Sequence, residues 1–144
     1  MEDCAEGLFF LTGKDFLNAG AASSGLKGVL EKIGIQPEII RRAAIAAFEA
    51  EMNTIIYAVA GKMNYYITRD EIKVVIEDMG PGIDNIDLAM TEGYSTAPDY
   101  IREMGFGSGM GLPNIKKNAD TMSITSVVGE GTTLEFIIKL HGPG

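Results

Sequence analysis

The sequence predicts an α+β two-layer sandwich, a mixed β-sheet with helices on one face. Three observations lead there. Two long segments, 19–33 and 37–60, repeat apolar residues at helical spacing. Four β-rich runs fall into two pairs, each joined by a short polar or glycine-bearing turn. Between those pairs lies a glycine-rich stretch, 78–111, of a kind that compact domains keep for function.

Each element follows from its residues. Leu8-Phe9-Phe10-Leu11-Thr12 is a short apolar and aromatic run, an opening strand, and Gly13-Lys14-Asp15 turns the chain. Ala22, Leu26, Val29, Leu30 and Ile33 define a first helix from about Ala19, stopped by Gly34. Pro37 opens a second helix, where its missing N–H is an orphan in any case. That helix is expected to reach about Ala60. Ile40, Ala44, Ala47, Phe48, Met52, Ile55, Ile56 and Val59 make an apolar set wide enough to be mostly buried. Lys62 to Thr68 and Ile72 to Glu77 read as a hairpin around Arg69-Asp70-Glu71, the second strand alternating loosely, as a central strand does. Only one helical turn, near Ile86 to Met90, is expected in the glycine-rich stretch, whose residues 83–110 read as a lid over a site. A third helix, Leu112 to Asp120, starts at glycines. Met122 to Val128 and Thr133 to Leu140 are strands joined by Gly129-Glu130-Gly131.

With 144 residues, no repeat and no linker composition, one domain over 1–144 is expected. Apolar residues are 46% and charged residues 22%, the balance of a globular chain with a true core. The net charge of −8 excludes nucleic-acid binding by bulk electrostatics. One cysteine, Cys4, excludes an internal disulfide and a multi-cysteine zinc site. One histidine, His141, in a tail expected to fray, excludes multi-histidine metal sites and a Ser/His/Asp triad. The acidic start lacks the basic region of a signal peptide, and Glu49, Glu51 and Asn53 interrupt the most apolar stretch, so no membrane span is expected. The expected setting is the cytoplasm.

Four constellations carry chemistry. Glu49 and Asn53, four apart, share one helix face about 6 Å apart. On a solvated stripe they would do nothing. At an apolar rim they can hold a divalent cation through oxygen and orient a hydroxyl. Asp78-Met79-Gly80-Pro81-Gly82 follows a strand directly. It is either an ordinary turn or a nucleobase site, in which Asp78 accepts from an exocyclic amine and Gly80 and Gly82 let backbone approach a flat ring. Adenine suits that acceptor, whereas guanine presents a carbonyl to it. Gly105-Phe106-Gly107-Ser108-Gly109-Met110-Gly111-Leu112 runs into a helix, either as a bare loop or as a phosphate cradle. It is neither a Walker A loop nor a dinucleotide fingerprint. Gly129-Glu130-Gly131-Thr132 is a hairpin turn, whose hydroxyl reaches the Asp78 edge if the two strands are neighbours.

In this order and placement, the constellations resemble the GHKL superfamily of ATPases and kinases, whose fold is the Bergerat fold. Glu49-x-x-x-Asn53 is similar to the N-box, Asp78-x-Gly80-x-Gly82 to the first glycine box, Gly107-x-Gly109-x-Gly111 to the second, and Gly129-x-Gly131-Thr132 to the closing Gly-Thr element. The match runs from about residue 40 to 140. Small size and the wording of 76–83 and 126–132 resemble the stand-alone bacterial anti-sigma serine/threonine kinases, the RsbW, SpoIIAB and RsbT group, and Gly93-Tyr94-Ser95-Thr96 is similar to RsbT.

That resemblance implies a serine/threonine kinase using ATP and Mg²⁺ on a STAS-type antagonist. The alternative it leaves is an ATP-gated anti-sigma or switch binding module with little phosphotransfer. By the same resemblance Glu49 is the general base, and Asn53 holds Mg²⁺ against the phosphates. Asp78 binds the adenine amine, with Gly80 and Gly82 at the ring and Thr132 in support. The backbone of Gly107, Ser108, Gly109, Met110, Gly111 and Leu112 holds phosphates, and Arg102 neutralises developing charge. Lys62 either touches a phosphate or is an exposed strand lysine. The implied partner is a protein, an antagonist or sigma factor, with no nucleic acid and no membrane, and a homodimer is the implied assembly. Tyr57 departs from the pattern, standing where many such kinases carry histidine.

Overall fold

The computed structural model describes residues 5–83, 85–91 and 111–141. The chain runs β1 (Ala5–Thr12), a 3-10 turn (Phe16–Asn18), α1 (Ala21–Ile33), α2 (Pro37–Tyr57), β2 (Ala60–Ile67), β3 (Glu71–Met79), α3 (Ile86–Ala89), α4 (Gly111–Asn118), β4 (Thr121–Val127) and β5 (Gly131–Lys139). The element order is the one the residues predict. Ends differ by a few positions, because caps and pairing decide them rather than periodicity. Gly34 stops α1 in the left-handed conformation, φ 89°, and gives its N–H to the Leu30 and Glu31 carbonyls. Helix α2 ends at Tyr57, short of Ala60, because Ala58 is extended and Val59 donates its N–H to the Met79 carbonyl at 2.8 Å. The sheet has taken over the chain.

The five strands lie in the order β1-β2-β3-β5-β4. All four pairings are antiparallel, so the sheet expected as mixed narrows to an antiparallel one. The reason is topological. The connection through α4 delivers β4 parallel to β3, but at the far edge. The β4–β5 hairpin then returns β5 into the gap, antiparallel to both neighbours.

One face of the sheet carries Met63, Tyr65, Ile67, Ile72, Val74, Ile76, Leu134, Phe136 and Ile138, all buried. They pack against Leu26 and Leu30 of α1, against Ala43, Ala46, Ala47 and Ala50 of α2, and against Leu112 and Ile115 of α4. The alanine ridge lets α2 lie close to the strands. Phe48 and Val59, expected in the core, are instead 38% and 76% exposed, because the buried face of α2 is centred on the alanines and Val59 lies past the helix end. Lys62, Glu77 and Lys139 project from the uncovered face of the sheet, where Lys73 also lies, 5.2 Å from the Tyr66 ring. The tail is tied at His141, whose Nε2 sits 2.8 Å from the Arg69 carbonyl oxygen. Among the described residues no helix is long and apolar enough to cross a membrane.

Candidate functional site

The first half of the site is built where β3 ends. Strands β3 and β5 are paired with Glu77 opposite Thr133, which sets Asp78 across from Thr132 on the helix-covered face. The Thr132 N–H donates to Asp78 Oδ1 at 3.0 Å. Oδ2 has no protein donor among the described residues and remains an acceptor. Burial pushes the Asp78 carboxyl above the usual aspartate value, the Thr132 N–H opposing in part. Two glycines are obligatory beside it. A Cβ on Gly131, φ 153°, would overlap the Asp78 carbonyl, and one on Gly82, φ 77°, would lie 2.6 Å from the Val127 carbonyl oxygen. Gly80 is close-packed too, 3.1 Å from Ala58 at its Cβ position.

Ser126 of β4 ties these pieces together. Its Oγ donates to the Gly131 carbonyl at 3.2 Å, lies 2.9 Å from Thr132 Oγ1 and accepts the Ile83 N–H at 2.7 Å. Thus Thr132 supports Asp78 with its backbone, while its hydroxyl is engaged by Ser126. Sequence reasoning missed Ser126. The signal was its register opposite Thr132 across the hairpin, legible only once the strands are paired.

Helix α2 joins this end to the second half. A Cβ on Gly61 would sit 2.8 Å from Thr54 Cγ2 and 3.3 Å from Asp78 Cβ, so the C-terminal half of α2 lies over the end of β3. Half-buried Asn53 precedes Thr54, and half-buried Glu49 lies one turn earlier. Glu49 faces the start of α4. Its Oε1 is 3.9 Å from the Cβ position of Gly111, and its Oε2 accepts from Asn114 Nδ2 at 2.7 Å. Asn114 is a second residue that sequence reasoning missed. Leu112 buries its side chain in the core, 8% exposed, so only its backbone can serve a ligand.

Asp78, Gly80, Gly82 and Thr132 are therefore gathered at one end of α2, and Glu49 and Gly111 meet near its middle. Asn53 stands between on the same helix. Arg102, Gly107, Ser108, Gly109 and Met110, with Gly93 to Thr96 and most of the expected lid, lie outside the described residues. Lys62 is exposed on the opposite face of the sheet, so its phosphate role falls away. No group of three or more His, Cys, Asp or Glu able to hold a metal occurs among the described residues.

An open acceptor at the end of β3 and a carboxylate set against Gly111 of α4 are thus bridged by one helix, α2. Residues 16–138 match the histidine kinase-like ATPase domain, and the chain belongs to that family. It is 32% identical over 115 residues to the serine/threonine-protein kinase RsbT of Bacillus subtilis, covering 77% of this chain and 80% of that protein. It is 30% identical over 103 residues to the anti-sigma F factor of Anoxybacillus flavithermus, covering 72% of this chain and 64% of the relative. The anti-sigma F factor of Priestia megaterium is 33% identical over 105 residues, with 72% and 63% covered. The chain thus spans just under two thirds of these two anti-sigma F factors.

Proposed function

We propose that the chain is an ATP-dependent serine/threonine protein kinase of the anti-sigma regulatory type. It moves the γ-phosphate of Mg-ATP to a serine or threonine of a STAS-type antagonist. The observation that carries this reading is one helix, α2, connecting the open acceptor Asp78 Oδ2 to a carboxylate, Glu49, set against the start of α4. Asp78 accepts from the adenine amine, and a guanine carbonyl there would set two acceptors face to face. A helix start favours phosphate through its backbone N–H groups and the helix dipole, and α4 begins at Gly111.

Asn53 would hold Mg²⁺ through its amide oxygen, with substrate phosphates and waters as the other ligands, since no acidic cluster that could cage the ion occurs among the described residues. The ion neutralises charge on the phosphates when bound. Glu49 takes the proton of the acceptor hydroxyl as that oxygen bonds to the γ-phosphorus, and ADP departs with the electrons of the broken P–O bond. The partner is a protein, an antagonist or a sigma factor, met in the cytoplasm. A homodimer belongs to the same reading, supported by Leu8 and Phe10, 44% and 81% exposed on the edge strand β1.

Incubation with labelled ATP and purified STAS-type proteins tests this. Label is expected on serine or threonine, and Glu49→Gln lowers transfer at least about 100-fold while nucleotide affinity stays within about twofold. ATP binding without transfer to any partner would refute the kinase. That result would favour a second reading, ATP-gated capture of a partner, which the relatives named anti-sigma F factor support.

A further inference from the structure

The Asn114 amide makes the one hydrogen bond that the Glu49 carboxylate receives among the described residues, at 2.7 Å from Nδ2 to Oε2. Asn114 lies one turn past Gly111, so its side chain stands on the face where α4 begins. The other carboxylate oxygen, Oε1, points to Gly111. A base must turn its receiving oxygen to the hydroxyl. A donor on Oε2 fixes the rotation of the carboxylate, so that Oε1 is the oxygen turned to the start of α4.

Docking of the two helices does not need this bond. Leu112, Pro113 and Ile115 bury α4 in the core. Further along, Arg42 Nε donates to the Asn118 carbonyl at 2.9 Å and its guanidinium pairs with Asp120 at 3.5 Å. Asn114 is half-exposed and spends its donor on the carboxylate instead. Lys27 of α1 lines the same cavity of about 290 Å³ as Glu49, with Ser23, Ser24 and Phe48. From α4 the facing side chain is the neutral Asn114.

We propose that Asn114 is the positioning residue for Glu49, holding one oxygen of that carboxylate so that the other is aimed at the start of α4. This rests on the reading of Glu49 as base. Through it, seating of phosphates at the start of α4 and readiness of the base become one event.

The test uses the full chain with Asn114→Ala and the isosteric Asn114→Asp, each first checked by thermal melting. Two quantities are read: kcat for transfer and KM for ATP. Both variants lose the donor, so kcat falls roughly 10- to 100-fold in each while KM for ATP stays within about twofold. A parental kcat in both variants overturns the proposal, as does a loss carried by KM alone. A parent protein that transfers no phosphate sinks the kinase reading instead. The crystal structure of Asn114→Ala then decides alone: a Glu49 carboxylate that keeps the parental orientation overturns the positioning role.

Discussion

The Oδ1 oxygen of Asp78 is committed to the Thr132 N–H, which leaves Oδ2 for a ligand. Replacing the carboxylate by an amide separates these duties. In Asp78→Asn the amide oxygen still accepts from Thr132, but an NH₂ group then faces the adenine amine, donor against donor. ATP affinity, measured by calorimetry, is expected to fall about 10- to 100-fold, the cost of one mismatched buried polar contact. Stability moves the other way. Burial raises the folded-state pKa of Asp78, so the native protein binds a proton more readily than the unfolded chain. Its contribution is therefore most favourable below the ordinary aspartate value and declines as pH rises through the raised one. Thermal melts across that acidic window should show the decline in the parent and not in Asp78→Asn, which at neutral pH melts at or above the parent. An Asp78→Asn protein with parental ATP affinity would remove Asp78 from the base site. The place of Asp78 at the end of a strand was legible beforehand, because Gly80-Pro81-Gly82 follows and breaks the strand. Ser126 and Asn114 were not, since a serine in a strand or an asparagine in a helix acquires a task only when a partner strand or helix is set beside it.

Helix α2 shows what sequence periodicity can and cannot divide. Glu49, Glu51 and Asn53 all interrupt one apolar stretch, yet the fold sends them to different places. Glu49 turns to α4, while Glu51, only 1% exposed, turns to the start of α1. There its Oε2 accepts the N–H groups of Gly20 and Ala22 at 3.0 and 3.2 Å, and its Oε1 that of Ser23 at 3.0 Å. Residues two apart on a helix point to different faces, so the division itself was foreseeable. Its assignment was hidden, because it depends on the approach of α1. The need was nevertheless written in the chain: Gly20 has no side chain to cap α1, so the orphan donors require an acceptor from elsewhere. Glu51→Ala leaves three donors without it and is expected to cost about 3 kcal/mol, lowering the melting midpoint by roughly 10 °C. Glu51→Gln retains one acceptor oxygen and loses less. Glu49→Gln, half-exposed and outside this cap, leaves the midpoint nearly unchanged. Equal losses for the Glu49 and Glu51 variants in calorimetric melts would contradict this division of labour.

At the scale of the molecule, local pattern supplied the strands and helices but not their neighbours. A helical connection between strands suggests parallel pairing, and the hairpin that inserts β5 between β3 and β4 removes it. That insertion also makes the site, because it sets Thr132 beside Asp78 and Ser126 beside Thr132, residues separated by up to 54 positions in the chain. A ligand spanning from Asp78 to Gly111 therefore touches β3, the start of α4 and α2 together. Such a ligand binds the folded chain and not the unfolded one, so its affinity adds directly to global stability. At about 100 times its Kd, Mg-ATP is expected to contribute about 2.7 kcal/mol. That raises the melting midpoint by roughly 10 °C, without any protein partner. GTP at the same concentration should give almost no shift, because its base offers a carbonyl to Asp78. Adenosine should give a smaller shift than ATP, since it engages only the Asp78 end, and Asp78→Asn should cut the ATP shift to about half or less while keeping the fold. A midpoint raised equally by ATP and GTP would mean that affinity resides in the phosphates alone. The strand-end acceptor would then have no part in choosing the base.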